Sequence, residues 1–253
     1  MNYCALFRTA ALIAVLAFLT VPLLSLLTGG DWNPANLSAD DASAILTSLL
    51  GGIAALILII VTGTPVAYYL ARATGRLSLA AECLVLAPML MPTLALGILL
   101  ASFYGPAAPA GALLAHLGVI LTNTPTAFVL AALYAALPTY IIAARAALAE
   151  VPCDFEDIGR TLGDSRNRVF FRITLPLAQR GLAAALALAW VRALGEFGIV
   201  LILAYFPAGL PVRLWIDVED SGISSVFPLV AAFLAVTLPL PLWLGLRARR
   251  RLA

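Results

Sequence analysis

Apolar residues in this chain fall in long runs separated by short polar stretches. Six windows are long enough to cross a hydrocarbon core of about 30 Å: about Leu6 to Leu27, Ile45 to Leu70, Ala80 to Phe103, Leu113 to Leu137, Leu182 to Tyr205 and Val226 to Leu246. The first starts beside Arg8 and would also suit a secretory signal. Its length, the lack of a small-x-small cleavage site and the spans behind it favour a retained helix. The pattern predicts an all-α integral membrane protein with six transmembrane helices.

Several windows are interrupted. Gly51-Gly52 and Gly63-Thr64-Pro65 punctuate the second, and Pro88 and Pro92 stand four apart in the third. Pro125 lies inside the fourth and Pro138 just past its expected end. Each proline lacks an N–H donor and clashes with the preceding turn. Two readings stay open here: close packing with mild kinks, or bent helices lining a pathway that opens and shuts.

Composition agrees with the pattern. Hydrophobic residues make up 63% of the 253 and charged residues 11%, and the mean hydropathy of +1.04 is far above what a wetted globular surface carries. Six spans leave no room for a soluble domain of ordinary size, so residues 1–253 are expected to form one transmembrane domain. Cys4, Cys83, Cys153 and His116 are too scattered for a disulfide framework or zinc set.

The chain has no lysine, and its arginines orient it. With the N-terminus inside, every arginine except Arg192 and Arg213 falls on the cytoplasmic side. The opposite side receives Asp31, Asp40, Asp41, Asp217, Glu219 and Asp220. The positive-inside bias then holds at each cytoplasmic segment, with both termini cytoplasmic in a multi-pass cell-membrane protein. Trp32, Trp215 and Trp243 fall near expected interfaces.

The longest polar segment runs from about 144 to 180. Pro152 suits a helix start, and Asp154 with Asp157 has the spacing of a reciprocal cap. A short helix is expected from about Phe155 to Leu162, ended by Gly163 in the left-handed region. Asp164 or Ser165 would cap a second short helix, Arg166 to Ile173, which Pro176 stops. This second helix sets Val169, Phe170 and Phe171 among Arg166, Arg168 and Arg172. Adjacent phenylalanines point about 100° apart. One reading has Phe170 packed on the bundle and Phe171 in the headgroups; the other is a docking knob for a partner protein.

Inside the fifth window, Arg192 and Glu196 stand four apart, flanked by Gly195 and Gly198. Each would cost about 2.5 to 3.5 kcal/mol alone at mid-bilayer. Together they form either a self-neutralising packing pair or a pathway or gate element. No phosphate-binding loop is present, nor a nucleophile triad or paired-carboxylate constellation. Any hydrolysis must come from another chain.

The segment Asp157-Ile158-Gly159, Gly163 and Ile173-Thr174-Leu175-Pro176 resembles the EAA loop of binding-protein-dependent ABC transporter permeases: EAA, three residues, Gly, nine residues, then Ile-x-Leu-Pro. The Glu-Ala-Ala triplet is replaced by Asp-Ile-Gly, which keeps the acid. Residues 192–198, RALGEFG, resemble a segment of molybdate, tungstate and sulfate permeases. The resemblance implies a type I ABC importer permease (MetI-like) fold. It implies an ATPase-coupling loop containing Asp157, Gly159, Gly163, Arg166, Val169, Phe170, Phe171, Ile173, Leu175 and Pro176. It further implies a homodimer in membrane lipid with two cytoplasmic ABC ATPase subunits, which bind the ATP and Mg, and an extracytoplasmic oxyanion-binding protein. This chain itself would bind no cofactor, metal or nucleic acid and would not be an enzyme. A sulfate or thiosulfate permease is the nearest alternative. A secondary transporter or membrane scaffold using Arg192 and Glu196 is the rival of different class.

Overall fold

The computed structural model describes residues 3–28 and 37–250. Trp32 and Asp31 lie outside them. Every described regular element is helical. In order these are α1 (Tyr3–Thr28), α2 (Ala39–Arg72), α3 (Arg76–Leu86), α4 (Thr93–Tyr104), α5 (Pro109–His116), α6 (Pro125–Ala149), α7 (Cys153–Thr161), α8 (Arg166–Val169), α9 (Leu175–Leu194), α10 (Gly198–Leu203), α11 (Leu210–Ser221), α12 (Phe227–Thr237) and α13 (Pro239–Arg250).

Five helical stretches are long and apolar enough to span a membrane: Phe7–Leu26, Ala39–Arg72, Pro125–Ala149, Arg166–Leu194 and Phe227–Arg247. A sixth is a bent pair, Arg76–Leu90 with Thr93–Tyr104, turned by 110°. The chain is thus a multi-pass membrane protein, and six spans are reached only by counting the bent pair as one.

The core is α6 between α2 and α9, built on small residues. Ala127, Ala131, Ala132, Ala135, Ala136 and Ala144 of α6 are buried. On α2 the buried stripe is Ala44, Ser48, Gly52, Ala55, Ile59, Gly63 and Ala67, a spacing of three and four that keeps one face toward α6. A β-carbon on Gly63 would stand 2.8 Å from the Tyr140 ring, and one on Gly51 would collide with Phe128. With little apolar gain to be had between helices in lipid, such close backbone approach supplies the packing. Helix α2 opens with a capping box: the Asp41 N–H donates to Ser38 Oγ at 3.2 Å, and the Ser38 N–H donates to Asp41 Oδ2 at 2.7 Å.

Four expectations are corrected. The third window is no straight span: the chain passes through a 3₁₀ turn at Ala87–Leu90 and breaks before Pro92. Pro125 does not interrupt the fourth helix but begins it, as its missing N–H costs nothing in a first turn. Thr124 caps that helix through Ala127, and Pro138 lies within it. Pro176 does not stop the loop's second helix. A π-turn at Phe170–Thr174, in which the Leu175 N–H bonds the Phe170 carbonyl, carries the helix from Arg166 to Leu194. The wider turn accommodates the proline. Finally, the fifth window is split: α9 ends at Leu194 and α10 begins at Gly198, so Glu196 lies beyond the helix that carries Arg192.

Candidate coupling loop

The polar loop leaves α6 at Ala149 and turns at Val151-Pro152 into α7. Pro152 is the N-cap residue, with no side-chain cap. The expected Asp154–Asp157 reciprocal cap is therefore absent, and Asp157 instead pairs with Arg160 at 2.6 Å. The far end of α7 follows the expectation. Gly163 has φ +93, its N–H bonds the Arg160 carbonyl at 3.0 Å, and the Asp164 N–H reaches back to Gly159 at 3.1 Å. These two bonds form a Schellman closure, which needs a left-handed residue where glycine stands. Ser165 caps α8 through the Arg168 N–H, while Asp164 pairs with Arg168 at 3.1 Å.

The polarity of α7 is inverted. Its buried residues are Glu156, 4% exposed, and Gly159. Phe155, Ile158 and Leu162 are 49, 55 and 82% exposed, and their spacing of three and four aligns them along one edge. Gly159 allows α7 to cross the following helix closely, because a β-carbon there would stand 2.8 Å from Ile173 Cδ1 and 3.1 Å from Val169 Cγ2.

Glu156 explains the crossing. Its Oε1 accepts from Arg72 Nη2 at 2.7 Å, Arg72 Nε at 3.2 Å and Thr174 Oγ1 at 2.8 Å, and its Oε2 accepts from Tyr68 Oη at 3.0 Å. Arg72 also donates to the Val151 carbonyl at 3.0 Å. One carboxylate thereby joins α7 to the end of α2 and to the π-turn. Burial alone would raise its pKa, but the bonds from Arg72, Thr174 and Tyr68, with the Arg72 charge, outweigh burial and hold it below the ordinary carboxylate range.

The two phenylalanines divide as the first reading had it for Phe170. Its ring packs edge-on against Tyr68, centroids 5.0 Å apart, and Val169 beside it is buried. Phe171 remains 64% exposed. Ile173 and Leu175 are half-buried, and Arg166 and Pro176 are exposed. A cavity of about 1260 Å³ runs beside the loop between α2 and α9, lined by Ile60, Thr64, Tyr68, Phe170, Leu182 and Leu186 among others.

The second predicted group lies apart from the loop, about 26 Å along α9 from Leu175 at 1.5 Å per residue. Arg192 Nη1 stands 2.7 Å from Glu196 Oε2, while Glu196 Oε1 accepts the Ile199 N–H at 2.8 Å. Glu196 is fully buried; Arg192 is partly exposed. Gly195 follows the last residue of α9, and Gly198 packs so tightly on the start of α4 that a β-carbon would collide with Thr93. The pair therefore ties off a helix break.

Sequence reasoning missed Glu156, Arg72, Tyr68 and Thr174, and also the apolar edge of α7. The spacing of Phe155, Ile158 and Leu162 within a polar loop was the available signal for the edge. Among the described residues no group of three His, Cys, Asp or Glu is placed to hold a metal.

Broken spans surround an alanine-rich core, with a two-helix polar loop at one end. Residues 63–252 match the family described as binding-protein-dependent transport system inner membrane component, and the chain belongs to that family. It is 32% identical over 210 residues to a probable molybdenum ABC transporter permease protein of Haloferax volcanii, covering 81% of this chain and 76% of that one. It is 27% identical over 245 residues to the molybdate/tungstate transport system permease protein of Methanocaldococcus jannaschii, covering 96% of each. Among solved structures, a bacterial alginate ABC transporter in complex with its alginate-bound periplasmic protein superposes with a TM-score of 0.77 at 16% identity, over 98% of this chain and 93% of that one. The inward-facing methionine ABC transporter gives 0.60 at 17%, over 82 and 92%. The fold is accordingly the type I (MetI-like) permease fold, and the chain is a transport subunit rather than an enzyme. Family membership sets aside the secondary-transporter and scaffold readings.

Proposed function

We propose that this chain is the membrane subunit of an ATP-driven importer of molybdate or tungstate. The observation that carries the reading is α7, which turns Phe155, Ile158 and Leu162 outward from a polar loop and buries its glutamate. Exposed apolar side chains on a loop that also carries Arg160, Arg166 and Arg168 suit a protein groove. Within residues 144–180, the segment from the end of α6 to the start of α9 acts as the coupling loop of a single permease domain, with Asp157, Gly159, Gly163, Arg166, Val169, Phe170, Phe171, Ile173, Leu175 and Pro176 shaping or presenting it.

Two copies of the chain meet in lipid about a two-fold axis. Each presents its loop to a cytoplasmic ABC ATPase that binds ATP and Mg, and a soluble oxyanion-binding protein delivers cargo to the opposite face. Closure of the ATPases draws the loops together and turns the cavity outward. Both termini are cytoplasmic in this reading, which the arginine distribution supports. Arg192, Gly195, Glu196 and Gly198 form a gate hinge where α9 breaks into α10. The RALGEFG segment is shared with sulfate permeases; the named cargo of the relatives favours molybdate or tungstate.

Uptake of labelled molybdate, tungstate and sulfate into vesicles holding the assembled complex tests this. ATP-dependent accumulation of molybdate or tungstate is expected; sulfate-selective uptake would reassign the cargo, and uptake without an ATPase would refute the reading.

A further inference from the structure

Three elements converge on one buried carboxylate. Glu156 belongs to α7, Arg72 and Tyr68 to the last two turns of α2, and Thr174 to the π-turn that opens into α9. The partners come from 84, 88 and 18 residues away in the chain, so the bonds are tertiary and not part of any helix's own closure. None of the four carries the exposed edge of α7. We propose that Glu156 is the positioning residue through which movement of the docking helix is passed to the membrane helices, with Arg72 as its lever on α2 and Thr174 as its lever on α9.

Three physical features support this. First, α2 is a single helix of 34 residues, about 50 Å long at 1.5 Å per residue, whereas the bent third span and the α9–α10 segment are broken. Pro65 lies two turns before Arg72, so a displacement applied at Arg72 acts first on the last two turns of α2 and through them on one unbroken helix. Second, Arg72 grips one carboxylate oxygen through both Nε and Nη2 and the Val151 carbonyl beside it, so α7 cannot shift without loading α2. Third, Thr174 sits in a π-turn inserted in an otherwise continuous helix, a form found mostly at functional sites. Gly159, pressed against Ile173 and Val169, keeps α7 and the π-turn in contact as they move.

The inference rests on the transporter reading and is tested in the same complex. Glu156→Gln keeps the shape but loses the ionic grip; Arg72→Lys keeps the charge but loses the two-point hold. With the ATPase subunits bound as in the unaltered protein, both variants are expected to hydrolyse ATP yet carry at least about tenfold fewer anions per ATP. Thr174→Val, which removes one bond, is expected to show a smaller loss of the same kind. Wild-type anion-to-ATP ratios in Glu156→Gln and Arg72→Lys would overturn the proposal. So would loss of the assembled complex in both, which would make the network a structural clamp. Failure of the unaltered chain to retain any ATPase would instead refute the transporter reading.

Discussion

Arg72, the last residue of α2, and Glu156, buried in α7, lie 84 positions apart in the chain and 2.7 Å apart in space. Their pairing turns α7 over, so that the acid faces the bundle and the apolar residues face out. Breaking a buried pair by removing one partner costs about 3 to 5 kcal/mol when the other charge is left behind. Arg72→Ala is therefore expected to lower the thermal stability of the detergent-solubilised protein more than Arg160→Ala, whose Asp157 partner is exposed. Equal melting temperatures would contradict the assigned burial.

The outward edge and the packed ring should separate on mutation. Ile158→Asp and Leu162→Asp are expected to leave the melting temperature within a degree or so of the unaltered protein, since exposed substitutions stay within about 0.5 kcal/mol, while abolishing co-purification of the ATPase. Phe170→Asp should instead destabilise the protein itself, because its ring lies on Tyr68. Thermal scans beside pull-down yields distinguish the two.

Gly163 has open space around the position of a β-carbon, so any penalty for replacing it is conformational. A β-branched residue held at φ +93 costs of order 1 to 3 kcal/mol. Gly163→Val is expected to loosen the closure of α7 and weaken ATPase retention, whereas Gly163→Asn, which tolerates left-handed backbone better, should retain most of it. Titrating the ATPase against each variant measures the difference.

The opposite end of α2 carries a pH-dependent latch. Arg213 of α11 pairs with Asp41 at 2.6 Å, Asp217 at 2.9 Å and, more loosely, Asp40 at 3.9 Å, one cation among three carboxylates. Burial and the Asp41 charge raise Asp217 to about 6, against the pull of Arg213. Because the folded value exceeds the unfolded one, Asp217's contribution is fully present below its ordinary range and is lost as pH rises through about 6, by at most about 1.4 kcal/mol per pH unit. Glu156 has the opposite sign: its folded pKa is depressed, so its contribution is present above the ordinary range and lost as pH falls. Melting temperatures from about pH 4 to about 8 should show the first limb in the unaltered protein and lose it in Asp217→Asn.

At the helix break, Glu196 serves two partners with different needs. Glu196→Gln can still accept the Ile199 N–H but leaves Arg192 without its counter-charge; Glu196→Ala removes both. Yield and stability are expected to fall in that order, with transport impaired in the first. Wild-type protein level and uptake in Glu196→Gln would show that the charge is dispensable.

The apolar spans were legible because run length reports directly on lipid, although the third, read as straight, is bent by 110°. The Gly163 closure was legible too, since a glycine after a short polar helix has one common use. Prolines misled, because Pro125 and Pro176 read alike in sequence while one begins a helix and the other rides through one behind a π-turn. The partners of Glu156 were illegible for a different reason. Tyr68, Arg72 and Thr174 are ordinary residues at ordinary span ends, and only the tertiary crossing of α2 and α7 brings them to one carboxylate.

The central claim is that the apolar edge of α7 is held in an ATPase subunit. With the native cysteines replaced by serine, Leu162→Cys should crosslink to the ATPase in the assembled complex, with a yield that changes on ATP addition. A Leu162→Cys thiol that never reaches the ATPase, and reacts only with reagents applied to the outer face of intact cells, would contradict it.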